Sequence, residues 1–200
     1  MNARLLLLIA LAAGSVAAQD AAKPEIDNAW VRVTRVKQAA HGKALLRSQS
    51  DSVVVFVTDG IARKAGDAVY FPAGKAAEAD AADQPLEAVR IELKPGAPRS
   101  SAVALDPVKL DPEHHIVLLE NERVRVIRTI LEPHLKAPMH EHPHYVVVYI
   151  TELHTTMLMA DGRAVDNLRH PGEIAWRDAL KHATENVGER TASEVQVELK

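Results

Sequence analysis

The sequence predicts an all-β protein made of two tandem barrels or sandwiches. One β-rich unit recurs along the chain, its apolar residues alternate with a period of two, and outside the N-terminal apolar run a helical period is suggested only at Ala76–Ala82. With 47% hydrophobic and 26% charged residues in 200, the chain has enough apolar material for one large core or two small ones.

Arg4 precedes the apolar run Leu5–Ala13, and Gly14, Ser15 and the small residues Val16-Ala17-Ala18 follow. That order of charge, apolar core and small residues is a secretory signal peptide, and the run is well short of the roughly 20 residues that span a bilayer. Residues 1–18 are therefore expected to be cleaved, and the mature chain to be periplasmic or secreted with no membrane span. A net charge of −3 without long runs of one sign gives no footprint for nucleic acid. With zero cysteines there are no disulfides, thiolate ligands or cysteine nucleophile, so any metal must sit on His, Asp or Glu.

Sliding the chain against itself aligns Asn28–Thr58 with Asn121–Thr151 at an offset of 93, with 12 of 31 positions identical. Arg63–Lys94 aligns with Arg169–Lys200 at an offset of 106, with 9 of 32 identical. The change of offset puts 13 extra residues between Glu152 and Leu168 of the second copy, where they could cover a barrel mouth as a lid. Between the copies, Pro95, Pro98, Pro107 and Pro112 resist both helix and central strand. The expected organisation is a degenerate N-terminal barrel over 19–94, a Pro-rich linker over 95–112 and a C-terminal barrel over 113–200.

Strand signals recur in each copy. Val31/Val33 and Val124/Val126 alternate with polar residues, Val53-Val54-Val55-Phe56 and Val146-Val147-Val148-Tyr149 are short branched runs, and each copy ends on an alternating apolar strand.

Seven of the ten histidines lie between His134 and His182. In a strand, side chains two apart share a face with Cα atoms roughly 6.5 Å apart, so His140 and His142 can converge on one ion while Glu141 faces away. A third ligand must come from another strand, and His182 is the candidate. His144 keeps the same parity and is a candidate fourth. Their counterparts in the first copy are Arg47, Gln49, Asp51 for His140, His142, His144 and Ala76 for His182, so the first barrel should be metal-free. His134 aligns with His41 and is assigned to packing or a turn; His114-His115 is expected on the linker surface, and His154 and His170 in exposed turns. Tyr145 and Glu185 are near the cluster in sequence only.

These residues resemble the cupins, small jelly-roll barrels whose first motif is built around His-x-His and whose second combines Pro-Gly with a later His-x-x-x-Asn. Here the first is His140-x-His142, and the second is Pro171-Gly172 with His182-x-x-x-Asn186. The resemblance covers the mature chain as a bicupin, two double-stranded β-helix barrels. It implies a divalent transition metal, Fe, Zn, Mn or Ni, on His140, His142 and His182, with an open position for water or substrate. The glutamate usual in the family would fall on Val146 or Val147, and Gly172 to His182 is one residue tighter than the common spacing.

No Gly-x-Ser-x-Gly, Gly-x-Gly-x-x-Gly or phosphate-loop pattern occurs, so catalysis would run through the metal. Two functions follow: a metal-dependent small-molecule enzyme such as an oxygenase or isomerase, or a non-catalytic exported protein that captures a small ligand or metal. The expected partner is a small molecule, with a homodimer left open.

Overall fold

The computed structural model describes residues 23–98 and 102–200, so the N-terminal segment 1–18 and part of the bridge between copies lie outside it. The first half contains β1 (Ile26–Asp27), β2 (Val31–Gln38), β3 (Lys43–Arg47), β4 (Ser52–Phe56), β5 (Ala68–Phe71), β6 (Ala76–Asp80) and β7 (Leu86–Leu93). A four-residue helix, α1 (Pro107–Leu110), leads into β8 (His115–Glu120), β9 (Val124–Leu131), β10 (Lys136–His142), β11 (Tyr145–Tyr149) and β12 (Leu153–Met159). The chain ends with β13 (Ala164–Arg169), β14 (Ile174–Arg177), β15 (Leu180–Asn186) and β16 (Ala192–Leu199). No helix among the described residues is long and apolar enough to cross a membrane.

Each half forms an antiparallel barrel of two sheets. The first pairs β1-β2-β7-β4-β5 with β3-β6; the second pairs β14-β11-β16-β9-β8 with β10-β15-β12-β13. The two five-stranded sheets lie back to back. Val31, Val33, Val53, Val55, Val89 and Ile91 of the first meet Val124, Val126, Val146, Val148, Val195 and Val197 of the second in one core. Residues of opposite parity face inward, with Val54, Phe56 and Leu86 in the first barrel and Tyr145, Val147 and Tyr149 in the second. This explains the uninterrupted apolar runs. Every residue of β4 and β11 is buried, because each of these strands has a barrel interior on one face and the other barrel on the opposite face.

The seam is tied reciprocally. Arg35 of β2 donates to the Gly172 carbonyl at 2.8 Å and pairs with Glu25 and Glu87. From the other side, Arg128 of β9 packs on Gly66, where a Cβ would stand 2.8 Å from the guanidinium carbon. Both glycines have positive φ, +89° and +82°. Arg123 adds a pair to Asp51 at 3.0 Å.

Several expectations are corrected. Ala76–Ala82 is not helical: β6 runs over Ala76–Asp80 and pairs with β3, and that pairing overrides the helix preference of alanine. The linker does contain a helix, α1, because Pro107 takes its first turn, where no N–H is needed, and Asp106 caps it by accepting from the Val108 N–H. The extra residues of the second copy are not a lid. They form the β12–β13 hairpin, which joins β15 and builds a barrel wall.

Candidate metal centre

β10 carries His140 and His142 on its inward face, and its pairing with β15 sets His140 directly opposite His182. All three imidazoles are buried, and one ligand nitrogen from each lies within 4.8 Å of the others. The matching register in the first barrel sets Arg47 opposite Ala76.

In all three rings Nδ1 is held by the protein. That of His140 lies 2.7 Å from the Pro138 carbonyl, that of His142 2.8 Å from Glu198 Oε1, and that of His182 3.0 Å from Thr184 Oγ1. A carbonyl only accepts, so Nδ1 of His140 carries the proton and Nε2 keeps the lone pair. Nε2 of His142 and of His182 are buried with no hydrogen-bond partner. A buried polar atom without a partner is costly. Converging imidazole nitrogens of this kind, neutral and oriented through their other nitrogen, are the donor set a borderline divalent ion takes.

Electrostatics keep the rings neutral. Burial first, then the neighbouring imidazoles, push His182 down to about 2 and hold His142 well below its ordinary value, while burial lowers His140 against the opposing Pro138 carbonyl, Asp111 and Glu198. Behind the cluster runs a chain of charged groups. His142 donates to Glu198, which accepts from Arg125 Nε at 2.6 Å, and Arg125 Nη1 in turn contacts both oxygens of Asp106 at 2.9 and 3.0 Å. Glu198 is completely buried, and that burial raises its pKa against the opposing effect of Arg125. Asp106 is also the cap of α1, so the bridge between barrels is connected to the His142 ring.

The other sequence candidates fall in different places. His144 lies outside the cluster: its ring packs 4.4 Å from Trp30 and 5.9 Å from Trp176 at the seam. His134 and His41 both occupy left-handed turns, at φ 63° and 60°. His154 lies on β12, not in a turn, 2.8 Å from Asp166. Glu185 points outward to Lys136 at 3.0 Å. Val147, at a position where the family's glutamate would fall, faces the cavity.

The sequence reading missed His115. It starts β8, is buried, and its ring lies 5.1 Å from that of His140, with Nδ1 3.2 Å from the Asp111 carbonyl. Burial lowers its pKa to about 4. The cavity at the cluster has a volume of about 30 Å³, and its walls include His115, Tyr145, Tyr149, Asn167, Arg177 and Glu194. Arg177 donates to the Tyr149 hydroxyl at 3.2 Å, and burial holds both tyrosine hydroxyls protonated well past neutral pH.

No family model and no curated protein sequence matches this chain. Solved structures do. AerE from Microcystis aeruginosa is 8% identical over 89% of this chain and 96% of its own, with a TM-score of 0.60. A structure of oxalate decarboxylase is 13% identical over 84% of this chain and 68% of its own, with a TM-score of 0.57. Salicylate 1,2-dioxygenase from Pseudoaminobacter salicylatoxidans, in complex with gentisate, is 10% identical over 84% and 68%, with a TM-score of 0.53. At these identities the likeness is one of fold, that of a tandem cupin.

Proposed function

From the premise that this chain has the fold of the cupin superfamily, two barrels in tandem, we propose that the C-terminal barrel binds a divalent transition metal and that the protein is an exported metal-dependent enzyme acting on a small molecule. The ligands are His140, His142 and His182, and the reaction class is oxygenase or isomerase. One observation carries the reading: partnerless Nε2 atoms of His142 and His182 are buried beside His140, each ring fixed through Nδ1. Export rests on Arg4, the Leu5–Ala13 run and the small residues that follow.

When bound, an Fe, Zn, Mn or Ni ion supplies Lewis acidity, and with Fe also dioxygen chemistry. The chain's own groups do the rest. Glu198 and Arg125 fix the His142 ring, Tyr145 and Tyr149 offer neutral hydroxyls at the cavity, and Arg177 presents a cation to an anionic substrate group. The apolar side chains of Leu131, Val147 and Leu153 limit water in the cavity.

A second reading, a non-catalytic metal- or ligand-binding protein, is favoured by the cavity volume. About 30 Å³ holds a water or two and no aromatic ring.

Elemental analysis of untagged protein tests the site. About one equivalent of transition metal per chain is expected after reconstitution, with its loss in His140→Ala/His142→Ala. Wild-type protein carrying under roughly a tenth of an equivalent refutes the site. Turnover assays with small chelating acids, diols and thiols then separate the two readings, since a metal-loaded protein inert across that panel is a binder.

A further inference from the structure

The N-terminal barrel lacks the histidines yet has a larger cavity than the C-terminal one. Between β4 and β5 the chain passes through the loop 57–67, at the place where the second barrel inserts β12 and β13. The second sheet of the first barrel therefore has two strands against four. Beneath the loop lies a cavity of about 160 Å³, walled by Leu46, Phe56, Val69, Phe71, Ala79 and Leu86. The loop closes on itself through Gly60 N–H to the Arg63 carbonyl at 2.8 Å and is tied to β6 by Ile61 N–H to the Asp80 carbonyl at 3.1 Å. Ile61 stands at the mouth with 69% of its surface exposed.

We propose that this cavity is a ligand site, separate from the histidine cluster, for a compact neutral ring carrying one hydrogen-bond donor, a molecule of the phenol class. Size is the first argument. Interiors close up around voids much smaller than this, and an apolar cavity of about 150 Å³ admits a benzene-sized guest. The wall supplies the second. It includes the Asp80 side chain, whose Oδ1 is buried without a hydrogen bond, Lys43 Nζ standing 3.9 Å away. That atom is a buried acceptor in a lining that is mostly apolar apart from Arg63, Glu78 and Asp80, and a few polar groups in an apolar pocket set ligand orientation. The chemistry of that oxygen is the third: Lys43 pairs with Glu78 at 3.3 Å and stands 3.9 Å from Asp80, but the Asp80 oxygen itself can only accept, so it suits a neutral donor and repels a carboxylate placed against it.

Methyl NMR of the full chain, titrated separately with phenol, benzene and benzoate, tests the site. Phenol is expected to shift the methyls of Leu46, Val69, Ala79 and Leu86 and to saturate with a Kd of roughly 0.1–1 mM, as its size allows. Benzene should bind several-fold more weakly, and benzoate by about tenfold or more. Ala79→Leu fills the cavity and should weaken phenol by about tenfold; Val69→Phe, at a partly exposed wall position, repeats the test if the first variant does not fold. Asp80→Ala removes the acceptor and should reduce phenol to the level of benzene. The His140→Ala/His142→Ala variant should bind phenol as wild type does, so loss of the metal reading leaves this site standing. Absence of saturable shifts, shifts confined to the C-terminal barrel, benzoate binding as tightly as phenol, or filled variants with unchanged Kd each overturn the proposal.

Discussion

Glu198 makes the cluster more than three histidines on two strands. It is fully buried between His142 and Arg125, and it fixes the ring whose Nε2 faces the site. Glu198→Gln keeps the shape and an acceptor oxygen but removes the charge; metal affinity is expected to fall by about 10–100-fold. A competition titration with a chromogenic chelator reads this, and an unchanged Kd would show that Glu198 is structural only. The buried histidines also set a pH dependence. His115, His140, His142 and His182 all have folded pKa values below the roughly 6.5 of an unfolded chain. Below that pH the unfolded state binds more protons, so chelator-stripped protein loses stability as pH falls, by about 1.4 kcal/mol per pH unit for each ring still neutral. His115 stops contributing below about 4. His114, raised by Asp111, and Glu194 and Glu198, raised by burial, act in the opposite direction. Thermal melts of stripped protein at pH 7.5 and 5 test the sign, and an equal or higher melting temperature at pH 5 would refute it. At this scale the parity of His140 and His142 is legible because a strand repeats every two residues. His115 and Glu198 are not, because they reach the site from β8 and β16, far away in sequence.

Pairing between elements decides what local preference leaves open. Ala76-Ala77 and Ala79 have strong helix propensity, yet hydrogen bonds to β3 make them a strand. The β12–β13 hairpin gives the second sheet of the C-terminal barrel two of its four strands and brings Thr155, Met157 and Asn167 to the cavity. The turns before β5 and β14 are equally specific, since Gly66 and Gly172 lie in left-handed backbone against Arg128 and Arg35. Gly66→Ala is expected to cost about 1–2 kcal/mol from backbone strain alone, plus displacement of Arg128. Gly74→Ala, also at positive φ but with nothing within 4 Å of the added carbon, should cost only the backbone part. Urea unfolding of the two variants measures the difference, and equal losses would show that the Arg128 contact contributes nothing. Arginine and glycine are identical between the aligned copies at these positions, but only the folded chain shows that each pair meets across the seam.

The two barrels share their largest apolar core, so the molecule should unfold as one unit. Trp30 and Trp176 both pack on that core, with ring centroids 5.5 Å apart, and their fluorescence reports the seam. Metal release and the change in tryptophan fluorescence are expected to share one thermal midpoint; two separated midpoints would show barrels that unfold independently. By itself the sequence determined the all-β class and the two-barrel plan, because alternation and branched runs are local properties that survive without knowledge of contacts. It also singled out His140, His142, His182 and His144 as candidate ligands, because side-chain parity and motif spacing are written along the chain. The tertiary structure alone decided that the valine runs are buried on both faces, that His144 belongs to the tryptophan seam, that His115 and Glu198 join the site, and that the extra residues form a wall. These outcomes depend on which sheet faces which, and burial and proximity between distant strands exist only once the chain has folded.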